Sequence, residues 1–475
     1  MKKIFFGTLT LISLISVTSC VKVNFDEGDG TTPTPVDPTN TTISGTISSS
    51  RFYAKGKYTL KGYVYVTEGA TLTFEAGSVI QSDITEKGAL IIERGGKLIA
   101  DGKANSPIVF TSGKPVGQRA PGDWGGIILL GKAPTNRPLD PGPTIEGGVG
   151  RKYGGTDPND ESGILRYVRI EFAGIAAEPG SEINGLTLGG VGSGTIIENV
   201  QVSFGNDDAY EFFGGTVNAK NLVALATADD DYDFDFGYTG KIQFAISCRK
   251  PDFVDAGDAG NGVECDNDAS GTTASPNTRP QLSNFTFVGP NNATGTATNH
   301  NYANRWRRRA QFVVRNSILV GYQKGGFAVE SKGSWDDYIT TGVSEFANNL
   351  VHAVAEPYYT DSTTARIFAT HSYPGNPMPS ADQKAMRQDA AVALKTKAEA
   401  NGCTTYANPD EIMLESPFYS TSPNFLPKAG SPALAGANFP SGISDYFTKT
   451  TYRGAMGTTK WTDGWTNWDP QNTTY

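Results

Sequence analysis

A repeat of about 22 residues runs through the middle of this 475-residue chain. Four pairs of segments match at distances of 22 or 32 residues: 199–203 with 221–225, 207–212 with 229–234, 167–172 with 199–204, and 284–289 with 316–321. A fixed period with insertions of about ten residues is typical of a solenoid, in which neighbouring repeats stack and corner loops absorb the insertions.

The repeated segments are short β-branched and aromatic runs separated by Gly, Asn and Asp, and the chain contains 56 glycines. Runs of this kind predict strands rather than helices. The sequence therefore predicts an all-β fold, a right-handed parallel β-helix with a coil period of about 22 residues and about three strands per coil. Equivalent positions of successive coils would then stack about 4.8 Å apart.

Individual segments support this interpretation. Residues 69–77 and 95–102 resemble the opening coils of right-handed parallel β-helix surface proteins, and residues 107–112 and 124–127 continue the pattern. Residues 427–434 are similar to the closing stretch of many such solenoids. The chain thus resembles the β-helical outer-membrane lipoproteins of Bacteroidota-type bacteria. The resemblance implies a fold and a location in the cell envelope, and it implies no activity.

The N-terminus has the features of a lipoprotein export signal. Lys2 and Lys3 precede an apolar stretch that is too short for a membrane span, and residues 17–20 resemble a bacterial lipobox ending in Cys20. We therefore expect a lipid-anchored protein of the outer membrane, and the acidic residues 26–29 favour the cell surface over the periplasmic face. The predicted domains are a signal peptide at 1–19, a flexible tether at 20–42 that starts with lipidated Cys20, and one β-helix domain at 43–475.

The end of the chain contains one predicted helix and an aromatic tail. Ser380 and Gln383 form a capping-box pattern before an Ala- and Lys-rich stretch, which predicts a helix at 381–400 that packs on the flank of the solenoid or caps its end. The tail carries Trp461, Trp465 and Trp468. These rings either seal the last coil or form a platform for a glycan.

An acidic segment is the strongest candidate for chemistry. The two 22-residue copies together carry six carboxylates that alternate with aromatic residues: Asp207, Glu211, Asp229, Asp231, Asp233 and Asp235. Successive side chains of a strand point to opposite faces, and an even offset preserves this parity between coils. The pattern predicts aromatic rings inside and one outward acidic patch, with Glu211 over Asp233 and Asp207 over Asp229.

Three interpretations of this patch are open. Like charges opposite each other destabilise a sheet, and no Lys or Arg is interleaved with these carboxylates. The patch is a solvated acidic face, a Ca²⁺ site, or a set of catalytic carboxylates. Carboxylate oxygens are ligands that suit Ca²⁺, which takes six to eight of them.

A Gly- and Asp-rich excursion lies between Cys248 and Cys265. Disulfides persist in exported proteins, so we expect a Cys248–Cys265 bridge. A second acidic cluster in and just beyond the excursion forms either a polar loop tied by this bridge or a metal site: Asp255, Asp258, Asn261, Glu264, Asp266 and Asp268.

The one dense basic run is residues 305–309. Arg305, Trp306 and Arg308 are predicted to contact an anionic glycan; the alternative is a set of internal salt bridges with Trp306 packed on the solenoid wall. The formal net charge of −9 argues against a nucleic-acid partner.

Two hypotheses of function follow. The first is a non-catalytic outer-membrane lipoprotein that binds an extracellular polysaccharide or an outer-membrane protein. The alternative is a Ca²⁺-dependent polysaccharide lyase or glycoside hydrolase, for which Arg249, Lys250 and the arginines of residues 305–309 are candidate bases.

Overall fold

Short parallel strands wind around a common axis in the computed structural model, which describes residues 34–475 except 38, 40, 179–180 and 369–379. The predicted signal peptide, Cys20 and the start of the tether lie outside the described residues. Within the predicted tether, β1 at Thr34–Pro35 already pairs with β3. Residues from Pro33 onward form one compact unit.

Thirty-one strands and three α-helices make up the described part of the chain. In order, the strands are β1 Thr34–Pro35, β2 Thr42–Ile47, β3 Arg51–Tyr53, β4 Lys57–Val66, β5 Thr71–Phe74, β6 Val79–Ser82, β7 Leu90–Ile92, β8 Lys97–Asp101, β9 Ile108–Thr111, β10 Ile127–Leu130, β11 Gly163–Glu171, β12 Ala176–Glu178, β13 Ser181–Glu182, β14 Leu186–Gly189, β15 Ile196–Ser203, β16 Tyr210–Phe213, β17 Asn218–Leu225, β18 Tyr232–Asp235, β19 Lys241–Cys248, β20 Glu264–Cys265, β21 Gln281–Val288, β22 Tyr302–Trp306, β23 Val313–Arg315, β24 Ile318–Tyr322, β25 Gly325–Val329, β26 Glu345–Ala347, β27 Leu350–Ala353, β28 Glu356–Tyr359, β29 Thr404–Thr405, β30 Leu414–Ser416 and β31 Asn424–Pro427. The helices are α1 Lys332–Trp335, α2 Ser362–Phe368 and α3 Ser380–Ala400.

Twenty-seven of these strands form one sheet in which the paired strands are parallel. Wall 1 of the coil contains β7, β10, β14, β16, β18, β20, β22, β25 and β28. Wall 2 contains β3, β5, β8, the first halves of β11, β15, β17, β19 and β21, then β23 and β26. Wall 3 contains the second halves of those long strands, β24 and β27. This arrangement confirms the predicted parallel β-helix.

The asparagines that begin each repeat sit at the corner between walls 2 and 3. Asn199, Asn221, Asn284 and Asn316 have φ angles of 55°, 57°, 58° and 54°. Asn adopts this left-handed conformation more readily than most residues with a side chain, and the reversal of φ bends the strand. The repeated Asn is therefore a device for turning the corner.

Inside the coil, equivalent aromatic rings stack. Tyr210 lies 5.1 Å from Tyr232, and Phe212 lies 5.0 Å from Phe234, measured between ring centroids. All four rings are buried in the main core, as the alternation of the acidic segment predicts.

Helix α3 covers the last coil. Met386, Leu394 and Ala398 on one face of α3 belong to the same buried core as Phe346 and Tyr358 from the final strands of walls 2 and 1. Of the two predicted positions, flanking and capping, the structure thus shows the cap. No helix among the described residues is both long and apolar enough to cross a membrane.

The chain after β29 covers the outer face of wall 3. Trp465 is 1% exposed and meets Tyr167 edge-on at 5.9 Å, and Trp461 stacks on Trp465 at 6.2 Å. The hydroxyl of Tyr475 donates to Glu171, on β11. The tail therefore covers wall 3 and not the last coil, and the prediction that it seals the last coil is wrong. Wall 3 is apolar on both faces, so it needs a cover along its length.

Trp465→Ala should lower the free energy of unfolding by about 3–5 kcal/mol, because the substitution removes a fully buried indole from this cover. The measurement is thermal or denaturant-induced unfolding followed by circular dichroism. Trp468→Ala, at a half-buried position of the same tail, is the control and should cost less. Equal losses in the two variants would contradict the assigned packing.

Candidate functional site

The acidic segment lies on the outer face of wall 1, where strand register stacks one residue of each coil on the next. The central part of the column passes from apolar residues through three carboxylates to an arginine; these members are Ile91, Ile128, Thr187, Glu211, Asp233, Glu264 and Arg305. Beyond Arg305 the column continues with Ala328 and Tyr359. The predicted pairing of Glu211 with Asp233 is confirmed.

An excursion between β10 and β11 covers the apolar start of this column. Ile145, Val149 and Tyr153 from the excursion pack on Ile91 and Ile128 in a separate small core. The carboxylates begin where this apolar cover ends. A buried apolar wall therefore borders the acidic cluster on one side.

Two overlapping groups of carboxylates form the acidic cluster. Asp207, Asp208 and Asp229 make the first group, and Asp208, Glu211 and Asp233 make the second. In each group the candidate ligand oxygens lie within 4.8 Å of one another. Two oxygens on opposite sides of one Ca²⁺ ion, each about 2.4 Å from it, are about 4.8 Å apart, so each group is compact enough to share a cation.

Asp208 belongs to both groups and was not predicted from the sequence. Strand alternation predicts that the side chain of residue 208 points inward, on the same face as Tyr210 and Phe212. Asp208 lies in the turn before β16, however, where this alternation does not apply. The backbone N–H of Asp230 donates to Asp208 Oδ1 at 2.8 Å, and Asp230 in turn accepts from the Asn261 N–H at 2.6 Å. Hydrogen bonds from backbone to carboxylate thus link the turns of three successive coils.

Glu146 joins the cluster from the excursion, far away in sequence. The amide of Asn184 donates to Glu146 Oε1 at 2.9 Å and also to Glu211. No repeat or spacing in the sequence connects Glu146 with Glu211, so only the folded chain brings them together.

Asp231 does not belong to the outward patch, and its prediction as a patch residue is wrong. It precedes β18, where strand alternation does not yet apply, and its side chain is buried on the inner side of the turn. Asp231 forms a salt bridge with Arg249 at 3.1 Å and also accepts from Thr227 and Ser247.

Arg249 holds the turn that carries the acidic residues. Its guanidinium is 0% exposed and donates to the carbonyl oxygens of Ala228, at 3.3 Å, and of Asp229. Both carbonyls flank the positions from which Asp229 and Asp230 project. A buried cation therefore neutralises Asp231 and fixes the backbone beneath the cluster.

Asp235 faces outward, as predicted, but stands apart from both carboxylate groups. In the strand register, Asp235 pairs with Phe213 of the preceding coil. Its Oδ1 accepts a hydrogen bond from the Phe236 N–H at 2.7 Å. Four of the six predicted residues therefore come together: Asp207, Glu211, Asp229 and Asp233.

The basic run continues the acidic column in the next coil. Arg305 pairs with Glu264 at 2.9 Å and with Glu330 at 3.0 Å. Arg307 pairs with Glu264 and Asp266, and Arg308 pairs with Asp266 at 2.6 Å. The alternative of internal salt bridges thus describes Arg305 and Arg307.

Trp306 cannot contact a ligand, so its prediction as a glycan-binding residue is wrong. Its indole is 0% exposed and packs against Phe312 in the interior of the coil, at 4.5 Å between ring centroids. Alternation along β22 sends Arg305 outward and Trp306 inward. Arg308, whose side chain is 43% exposed, is the predicted ligand-binding residue that solvent reaches best.

The predicted disulfide is also wrong, since Cys248 and Cys265 are separate buried thiols. Cys248 ends β19 and faces the outer cover of wall 3, whereas Cys265 on β20 faces the interior. Side chains on opposite sides of a wall cannot meet in a disulfide. The excursion between them is a polar loop in which Asp255 and Asp258 accept from nearby backbone N–H groups.

Burial and mutual repulsion favour protonation of the cluster. Burial, followed by the charge of Glu146, raises the pKa of Asp207 to about 8, and burial, followed by the charge of Asp207, raises that of Asp229 to about 8. The pKa values of Asp208, Glu211 and Asp233 are raised well above their ordinary range, with burial again the largest cause. The cluster is therefore costly to ionise without a compensating cation.

The donor set fits a hard cation. Every candidate ligand in both groups is a carboxylate oxygen, which suits Ca²⁺ and not the nitrogen and sulfur ligands typical of structural zinc. In addition, Oδ1 of Asp233 is buried and has no hydrogen-bond partner among the described residues. A bound Ca²⁺ would satisfy this oxygen and offset the repulsion.

Comparison with known proteins agrees with the parallel β-helix fold. The pectate-lyase-like β-helix domain matches residues 45–407. The chain belongs to this family. Among solved structures, the crystal structure of pectate lyase Pel9A is similar at 12% identity over 87% of this chain and 89% of that chain, with a TM-score of 0.33. No protein of curated function matches the sequence at a significant level.

Within this pectate-lyase-like domain, Arg249→Met should lower the free energy of unfolding by about 3–5 kcal/mol, because Asp231 is left as an unpaired buried charge. Urea-induced unfolding measures the loss. Adding Asp231→Asn should recover part of it.

Lys114→Met is the matched control, since Lys114 is partly exposed and its partner Asp123 keeps hydrogen bonds from Ser112 and the Ala120 N–H. If both single variants lose the same stability, the buried pair does not have the role assigned to it.

Proposed function

We propose that this protein is a Ca²⁺-dependent polysaccharide lyase that binds its acidic substrate on the outer face of wall 1. The observation that carries the proposal is the compact, buried carboxylate cluster within a pectate-lyase-like domain. Its unpartnered Asp233 oxygen supports the presence of a cation. A lyase fits better than a hydrolase, because the carboxylates of each group lie close enough to share one cation, whereas the two carboxylates of a glycoside hydrolase act separately on either side of the scissile bond.

Asp208 would hold the ion in either group, together with Asp207 and Asp229 or with Glu211 and Asp233. When bound, Ca²⁺ supplies a charge that can fix a uronate carboxylate and make the proton on the adjacent carbon more acidic. The chain's own residues orient the glycan. The apolar cover on β10 closes one side of the cluster, and the exposed Arg308 presents a cation on the other side.

A non-catalytic glycan-binding protein, or one that binds an outer-membrane protein, is the second candidate, and the state of the predicted bases favours it. Arg249 is buried and Lys250 is paired with Asp252. Burial by itself lowers the pKa of Arg305, but the neighbouring carboxylates of Glu264 and Glu330 outweigh burial and raise this pKa. An arginine held in this way is a poor proton acceptor.

Attachment to the outer membrane through Cys20 is part of the same proposal, and the sequence of residues 1–20 supports it. Cys20→Ala should abolish labelling by a palmitate analogue and release the protein from the membrane fraction. A variant that stays in the membrane fraction, together with an unlabelled wild type, would remove the basis for the anchor.

Removal of Ca²⁺ should lower the melting temperature most at about pH 8. The pKa values of about 8 at Asp207 and Asp229 lie far above the ordinary value near 4, so the metal-free folded chain binds more protons than the unfolded chain between these limits. Its stability therefore falls as the pH rises through this window. Ca²⁺ at a hundredfold excess over Kd should restore about 2.7 kcal/mol at pH 8 and less at pH 5.

Differential scanning fluorimetry with Ca²⁺ or chelator measures this effect. Asp208→Asn, which alters both carboxylate groups, should remove the response to Ca²⁺, whereas Asp463→Asn at an exposed position should retain it. Ultraviolet absorbance of unsaturated products from polygalacturonate then separates the lyase from the binding protein. A melting curve indifferent to both Ca²⁺ and chelator would contradict the metal site and leave the cluster as a set of buried, protonated carboxyl groups.

A further inference from the structure

A polar cavity lies just after β22, and three of its eight lining residues are cations. Its volume is about 470 Å³. Arg308, Arg309 and Lys332 contribute three positive charges, and Asp336 contributes one negative charge. The hydroxyl-bearing residues Ser270 and Ser331 also line it. The cavity therefore offers the donors that recognise an anion.

Three of these residues have a left-handed backbone, which residues other than Gly rarely adopt. The φ angles are 45° at Arg308, 66° at Arg309 and 75° at Ser331. Such a conformation costs free energy and persists only where the surroundings enforce it. Here the Arg309 N–H donates to Ser331 Oγ at 3.2 Å, and the Ser331 N–H donates to Thr364 Oγ1 at 2.7 Å. With this backbone, both consecutive arginines line the same cavity.

Arg309 has a charge that no described carboxylate neutralises. Lys332 pairs with Asp336, and Arg308 pairs with Asp266, but among the described residues no ion pair includes Arg309. Its aliphatic stem lies against Gly333, where an added Cβ would approach Arg309 Cγ to 2.7 Å. The absence of a side chain at Gly333 thus leaves room for the arginine.

The position of the cavity relates it to the acidic cluster. The strand register runs from Asp233 through Glu264 to Arg305, which is two coils, or about 10 Å along the axis. Arg308 follows directly after that strand. A polysaccharide lying along wall 1 over the cluster would reach the cavity within a few sugar units.

We infer that the cavity formed by Arg308, Arg309 and Lys332 is a subsite that binds an anionic substituent, a carboxylate or a sulfate ester, of the glycan bound at the acidic cluster. This inference rests on the proposed function for the identity of the glycan. It adds a device for selecting charged over neutral polymers, since Arg309, which has no ion pair among the described residues, would gain a charge-assisted hydrogen bond from an anionic substituent and not from a neutral sugar.

The test is isothermal titration calorimetry of the full-length protein with three probes in Ca²⁺: an oligogalacturonate, a sulfated galactose oligosaccharide and a neutral galactose oligosaccharide. The wild type should prefer one charged probe, and its choice distinguishes carboxylate from sulfate. Arg309→Gln should weaken that binding about tenfold, and Arg309→Gln/Lys332→Gln more. Lys395→Gln, on the exposed face of α3, is the control and should bind like the wild type.

Arg309→Gly tests whether misfolding, and not loss of the guanidinium, causes the weaker binding. Glycine relieves the left-handed strain, so this variant should melt no lower than the wild type while it loses the same affinity. Equal affinities of wild type and Arg309→Gln for the charged probes, or no preference of the wild type for charge, would overturn the inference.

Failure of the proposed function gives a different result. In that case binding of the charged probe would be indifferent to chelator and no unsaturated product would form, yet the Arg309 variants would still weaken it. If only the subsite is wrong, the charged probe should bind the Arg309 and Lys332 variants as tightly as the wild type, and this binding should still depend on Ca²⁺.

Discussion

Parallel pairing of successive coils places each side chain directly over its equivalent in the next coil, about 4.8 Å away. Inside the coil this register is favourable, because Tyr210 stacks on Tyr232 and Phe212 on Phe234. On the outside, the same register forces Glu211 onto Asp233. The same strand register therefore produces both the aromatic core and the acidic cluster, and a shift of this register would disrupt both.

The chain compensates for the stacked charges in two places. Beneath the cluster, Arg249 neutralises Asp231 and holds the carbonyls of the turn, so the backbone does not yield to the repulsion above it. Farther along the column, Arg305 and Arg307 pair with Glu264. Between these positions, the carboxylates of the cluster form no ion pair with a described lysine or arginine, and burial raises their pKa values. The gap is the place where a metal ion would contribute most.

The layers outside the coil divide its surface by function. The C-terminal segment covers wall 3, helix α3 covers the last coil, and the excursion after β10 covers the first half of wall 1. The rest of wall 1 carries the acidic cluster and the arginines, and the cationic cavity follows β22. An extended ligand would thus find its charged contacts along one side of the solenoid.

The sequence by itself determined the repeat, the parallel β-helix, the presence of the helix at 381–400 and the stacking of Glu211 on Asp233, because these depend on period, parity and capping residues, which are local properties of the chain. Parity failed at Asp208 and Asp231, since both lie in turns where alternation does not apply. Proximity in sequence failed for Cys248 and Cys265, whose side chains face opposite sides of a wall. Only the tertiary structure decided that Glu146 joins the cluster and that Arg249 lies beneath it, because contacts across coils and from an excursion depend on how the whole chain packs.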